Sequence, residues 1–189
     1  MAEIFGWFDQ CNRDKLETLI AQYRIRTVLE IGSLFGLSAV WFAKRVEHVT
    51  CIDRWLEDAP EASANNQVRT LRELGVPLDF YQVFLANIAR EGVSDKVSTI
   101  RGRSNECADW APVADLVYID ADHSYAGCLS DIRLYTPKAA KIICGDDYNR
   151  PDFQVREAVT EVFPQHQSHG PFWWRVNEDH DQKRVQRVS

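Results

Sequence analysis

Three aspartates are set where they would have to share space. Asp120 follows the apolar run Leu116-Val117-Tyr118-Ile119, and Asp146 and Asp147 follow Lys141-Ile142-Ile143-Cys144 closely. Carboxylates brought together repel one another, and such a group persists when a cation neutralises it or when its pKa values rise. Oxygen-only donors suit a hard ion, Mg²⁺ first and Mn²⁺ or Ca²⁺ next. Asp122 and Asp147 also have the plainer use of Asp in turns and helix caps. His123 stands just before Ser124, a helix-capping residue. A helix N-terminus disfavours imidazolium, so a neutral ring able to accept a proton near physiological pH is expected there. His166 and His169 have H-x-x-H spacing but would face opposite ways in a hairpin, and His48 and His180 join no constellation.

A second group surrounds Glu30-Ile31-Gly32-Ser33-Leu34-Phe35-Gly36. Glycines there let backbone approach a ligand, yet Ser33-Leu34-Phe35 separates them, so the G-x-G-x-x-G dinucleotide fingerprint is absent. Glu30 beside the turn would repel a pyrophosphate and attract an ammonium or a sulfonium. Asp53 follows Gly32 by about twenty residues, the offset from which a carboxylate accepts both ribose hydroxyls. Together they favour a nucleoside carrying a positive group.

The elements that must hold these residues alternate. Residues 26–31 are β-branched and end in Gly32, and residues 37–46 carry apolar side chains at helical spacing. Strands follow at 49–53, 97–100, 116–120 and 141–144, with helices at 79–91, 124–135 and 152–163. Short continuous apolar strands between helices signify an α/β chain with a parallel sheet buried on both faces, all carboxyl ends along one edge. His166 to Pro171 followed by Phe172-Trp173-Trp174-Arg175-Val176 reads as a terminal antiparallel hairpin with a Gly-Pro turn. Residues 1–22 read as an N-terminal helical segment outside the sheet, its apolar face formed by Phe5, Phe8, Leu16, Leu19 and Ile20. The least regular stretch, 54–78, is the expected lid or substrate loop, and residues 177–189 the expected flexible tail.

With 189 residues the chain is expected to form one domain, without room for a second catalytic unit. Hydrophobic residues at 45% and charged residues at 26% exclude disorder and coiled coil. A net charge of −6 lacks the basic footprint of a nucleic-acid binder. Five scattered cysteines without a C-x-x-C pair read as reduced thiols and argue against thiolate zinc. No basic leader and no apolar run near ~20 residues is present, so a soluble cytoplasmic protein away from membranes is expected. The Trp173-Trp174 strand and the N-terminal helices are the candidate surfaces for a homodimer, although paired aromatics on an edge hairpin are more often core.

The segments Val28 to Gly36, Cys51-Ile52-Asp53, Asp115 to Tyr125 and Ile142 to Tyr148 resemble class I S-adenosylmethionine-dependent methyltransferases. The last two segments are similar to the small metal-dependent O-methyltransferase branch of the catechol, caffeoyl-CoA and macrolide-sugar type. The resemblance runs from about residue 26 to 176, and its segments are far more specific together than singly. It implies a Rossmann-like, doubly wound sheet of seven strands in the order 3-2-1-4-5-7-6. It also implies that Gly32 and Ser33 face the methionine part, Asp53 the ribose, Trp55 or Arg54 the nucleoside, and Arg103-Ser104 the adenine edge. Asp120, Asp146 and Asp147 would hold the metal, with Asp120 also bordering the cofactor. A hydroxylated small molecule would give its proton to His123 or, second, to Asp122. Leu34, where many of these enzymes have glycine, and Lys138-Ala139-Ala140-Lys141, in place of a Gly-Gly turn, depart from the pattern without removing a ligand. Metal-independent N- or C-methyl transfer and a non-catalytic nucleoside-binding module are the rival readings. A nicotinamide dehydrogenase is disfavoured by the glycine pattern and Glu30.

Overall fold

The computed structural model describes residues 4–56 and 79–177. The expected lid therefore lies mostly, and the expected tail almost wholly, outside the described residues. Seven strands form one sheet: β1 (Thr27–Ile31), β2 (His48–Asp53), β3 (Val97–Arg101), β4 (Ala114–Ile119), β5 (Ala139–Gly145), β6 (Gln167–His169) and β7 (Phe172–Val176). Their order is β3-β2-β1-β4-β5-β7-β6, the order the sequence resemblance implies. β3, β2, β1, β4 and β5 run parallel, and β7 returns antiparallel between β5 and β6.

Among the described residues six helices flank the sheet: α1 (Gln10–Tyr23), α2 (Leu37–Ala43), α3 (Phe80–Arg90), α4 (Ser104–Cys107), α5 (Tyr125–Tyr135) and α6 (Val155–Val162). Successive strand side chains point to opposite faces, so each strand feeds two cores. Val28, Leu116, Tyr118, Ile142, Cys144 and Trp174 join the core covered by α1, α2 and α3. Leu29, Val117, Ile119, Ile143 and Trp173 join the core covered by α4, α5 and α6. Burial on both faces explains the unbroken apolar strands. Trp173 and Trp174, 1% and 8% exposed, are thus spent inside the chain, one on each face.

The N-terminal segment differs from the expectation of helix from residue 1. Asp9 caps the helix by accepting a hydrogen bond from the Cys11 N–H, and α1 begins only at Gln10. Ile4 and Phe8 are buried from the non-helical stretch before it, with Phe8 edge-on against Trp41 and Tyr118. Helical spacing cannot distinguish such residues from a helix face when the cap lies between them. Among the described residues no helix is long and apolar enough to cross a membrane.

Candidate active site

The carboxyl ends of β1, β2 and β4 meet around the turn after β1. Gly32 has φ +88°, and a Cβ there would lie 2.0 Å from the Asp120 carbonyl oxygen, so only glycine lets this turn pass against the end of β4. The Gly32 N–H donates to the Ile52 carbonyl at 2.8 Å, and the Asp120 N–H to the Ile31 carbonyl at 2.9 Å. Asp53 holds the next step of the turn. Its Oδ2 accepts from the backbone N–H groups of Ser33 and Leu34, both at 2.9 Å, and its Oδ1 from that of Trp55 at 2.7 Å. The carboxylate expected at a ribose is thus first a clamp on the ligand turn.

Leu34, the departure from glycine, adopts the left-handed conformation nonetheless, with φ 43°. Its carbonyl accepts from the Trp55 indole N–H at 2.8 Å. Trp55 is only 2% exposed and packs against Tyr81 and Phe84, so its ring supports the turn from within the core.

Glu30 is fully buried beneath this turn. Register sets Cys51 of β2 and Tyr118 of β4 beside it. Its Oε2 accepts from the Ser33 hydroxyl at 2.5 Å and from the Cys51 thiol at 3.4 Å, the Ser38 hydroxyl also faces the carboxylate, and among the described residues Oε1 has no hydrogen-bond partner. Burial pushes its pKa up to about 7, only partly offset by the Ser33 and Ser38 hydroxyls and the Cys51 thiol. A buried carboxylate with a vacant acceptor atom at the end of β1 is suited to an incoming cationic group.

On the other side of the turn, Asp120, His123 and Asp147 present ligand atoms within 4.8 Å of one another. Nε2 of His123 lies 2.9 Å from Oδ2 of Asp147 and 3.4 Å from Oδ1 of Asp120. The ring stacks on Phe153 with centroids 4.3 Å apart, and the His123 carbonyl accepts from the Gln154 N–H at 3.0 Å. The neutral imidazole expected at the helix N-terminus is corrected here. Burial lowers the His123 pKa, but the two carboxylates outweigh it and raise it to about 10. A charge at contact distance dominates the partial charge of a helix end.

Asp146 is not among the converging atoms. It is buried, its Oδ1 accepts from the Asp147 N–H at 2.6 Å, and the fully buried Asn12 of α1 faces it and favours its charged form. Burial first, then the Asp120 charge, raise its pKa. Asp147 reaches His123 from a left-handed backbone, φ 61°, which Asp tolerates better than most residues. Asp122 is exposed and its Oδ1 accepts from the Ser124 N–H at 2.8 Å, while the Ser124 hydroxyl caps α5 by accepting from Gly127. Asp122 thus forms the turn that delivers His123.

Arg103 and Ser104 leave β3 next to Asp53, whose carbonyl accepts from the Gly102 N–H at 3.0 Å. Arg103 is exposed and ion-pairs loosely with Glu106, and the Ser104 carbonyl accepts from the Tyr135 hydroxyl at 2.7 Å. Asn12 and Phe153 escaped the sequence analysis because nothing local marks them. Asp131 did carry a signal, a charged residue on the apolar stripe of α5.

The donor chemistry fits both groups the resemblance implies. Asp120 and Asp147 offer carboxylate oxygens compatible with a divalent cation, with the His123 ring beside them. The unpartnered Glu30 oxygen and the glycine turn fit a cationic nucleoside.

Comparisons with known proteins agree with this geometry. No curated protein matches the sequence. Among solved structures, a candidate caffeoyl-CoA O-methyltransferase from Staphylococcus aureus superposes with a TM-score of 0.65 at 18% identity, covering 90% of this chain and 84% of that one. The O-methyltransferase from Bacillus cereus in complex with SAH gives 0.61 at 15%, with 89% and 80% covered. The O-methyltransferase of tomaymycin synthesis from Streptomyces achromogenes, in complex with SAM, gives 0.62 at 15%, with 89% and 79% covered. These likenesses establish a shared fold. Residues 29–148, spanning the glycine turn, Asp53 and the three-aspartate edge, match the family model described as a methyltransferase domain, and the chain belongs to that methyltransferase family.

Proposed function

We infer that the protein transfers a methyl group from S-adenosylmethionine to a hydroxyl of a small molecule, assisted by a divalent cation. The observation that carries this reading is the convergence of Asp120, His123 and Asp147 within 4.8 Å, across the Gly32 turn from Glu30 and Asp53. The neighbouring structures described as O-methyltransferases support a hydroxyl acceptor.

S-adenosylmethionine, when bound, supplies an electrophilic methyl on a sulfonium, and a divalent cation, when bound, lowers the pKa of a hydroxyl it holds. Glu30 and the Gly32–Ser33 turn hold the amino-acid part, and Asp53 and the Arg103–Ser104 turn hold the nucleoside. Asp120 and Asp147, with Asp146 behind them, hold the cation. His123 accepts the hydroxyl proton at Nε2. That role requires a neutral ring, which the two carboxylates oppose until their charge is committed elsewhere, as it is to a cation. Rigid strand ends fix the nucleophile, so positioning supplies much of the rate.

A second reading has its own support. His123 bridges both carboxylates and its positive charge offsets one of their two negative ones without a cation, which favours metal-independent transfer, including transfer to nitrogen or carbon. Methyl-transfer assays against hydroxylated acceptors with Mg²⁺, Mn²⁺ or EDTA separate the two. Turnover abolished by EDTA and restored by cation supports the first reading, and equal turnover in excess chelator overturns it.

A further inference from the structure

Helix α5 carries a carboxylate where its stripe calls for an apolar side chain. Cys128, Ile132 and Tyr135 are buried at helical spacing, and Asp131 lies among them, 2% exposed. The Ser104 hydroxyl faces it and favours its charged form, and among the described residues its Oδ2 has no hydrogen-bond partner. Among the described residues the titratable groups facing it are the thiol of Cys128 and the phenol of Tyr135 on its own helix and the Asp122 carboxylate on the turn before it. None of these is cationic. A buried carboxylate left half-satisfied is expensive to fold, and an apolar residue here would cost less.

The cost coincides with a second contact on the same residue. The Tyr135 hydroxyl donates to the Ser104 carbonyl at 2.7 Å, so two side chains of α5 meet Ser104, Tyr135 bonding its backbone and Asp131 facing its hydroxyl. Ser104 begins α4, one residue beyond Arg103, and the turn is tied to Asp53 through the Gly102 N–H. Helix α5 in turn is capped by Ser124, directly after His123. One rigid element thus governs both the turn beyond β3 and the residue facing Asp120 and Asp147.

We propose that Asp131 and Tyr135 are positioning residues that hold Ser104 in place, so that α5 sets how tightly the nucleoside of the cofactor is bound. This rests on the reading above, in which the Arg103–Ser104 turn meets the nucleoside. A role in folding alone predicts that losing Asp131 lowers stability. A positioning role predicts that stability and affinity part company.

The test is calorimetric titration of the full chain with S-adenosylhomocysteine at pH 8, with thermal melts of each variant. Asp131→Ala should bind about tenfold more weakly than wild type, while its Tm is unchanged or higher because the unpartnered carboxylate is gone. Asp131→Asn keeps an acceptor for the Ser104 hydroxyl and should bind within about threefold of wild type, and Tyr135→Phe should weaken binding by about threefold to tenfold. The KM for the methyl acceptor should stay within about twofold in all of them. Wild-type affinity in Asp131→Ala, or an affinity loss matched by a fall in Tm that Asp131→Asn does not restore, would overturn the proposal while leaving the function reading intact. A wild-type chain that fails to bind S-adenosylhomocysteine would overturn both.

Discussion

Nε2 of His123 lies 2.9 Å from Oδ2 of Asp147, although the two residues come from different crossover segments of the sheet. β4 and β5 run parallel and adjacent, so their carboxyl ends deliver both side chains to one edge. The ring is then clamped between Asp147, Asp120 and the face of Phe153. This contact decides what the edge can do, because the imidazole and a cation compete for the same carboxylate oxygens.

Removing one carboxylate should therefore remove cation binding. Asp147→Ala and Asp120→Ala are each expected to lower Mn²⁺ affinity by about tenfold or more, measured by electron paramagnetic resonance titration. Affinity for S-adenosylhomocysteine should remain within about threefold for Asp147→Ala, whose side chain is engaged with His123. Unchanged Mn²⁺ affinity in both variants would take the cation away from this edge.

Glu30 predicts a proton-linked equilibrium. Its pKa is raised by burial from 4.5 to about 7, so its contribution to stability is fully present below about pH 4.5 and is lost as pH rises through 7. The ligand-free chain should accordingly melt lower at pH 8 than Glu30→Gln does, relative to their difference at pH 5. An arriving ammonium favours the ionised form, so ligand binding near pH 7 should release about half a proton in wild type and none from this site in Glu30→Gln. Calorimetry in two buffers of different ionisation enthalpy reads this directly, and identical proton release in both proteins would eliminate Glu30.

Gly32→Ala should be among the most damaging single changes. The added Cβ meets the Asp120 carbonyl at 2.0 Å and the backbone is left-handed, so a loss of about 3 kcal/mol or more is expected from strain and overpacking. Chemical denaturation checks this, and a loss below about 1 kcal/mol would mean the turn relaxes without consequence.

Asp53→Ala removes the acceptor for three backbone N–H groups at once. A destabilisation of about 2–4 kcal/mol follows from the charge-assisted bonds lost. Asp53→Asn should keep part of it, since an amide oxygen still accepts while its NH₂ opposes one donor. A ribose-only role for Asp53 would instead leave the stability of the ligand-free chain untouched.

Much of this was legible along the chain. Unbroken apolar strands separated by helices required a parallel sheet covered on both faces, because such strands have no polar side to show water. The acidic ends of β1, β2, β4 and β5 could be read as one ligand edge, since parallel strands in an open sheet bring their carboxyl ends together. Ser124 as the cap of α5 was equally local, a hydroxyl reaching an N–H three residues on. What the sequence by itself determined was the layered architecture and which residues share an edge, because both follow from periodicity and short-range hydrogen bonding. Only the tertiary structure decided the charge on His123, the partnering of Asp53 with its own turn, the retreat of Trp55 into the core and the grip of α5 on Ser104. Each depends on through-space distance between elements remote in sequence, where Coulomb forces and burial act and no periodic pattern records them.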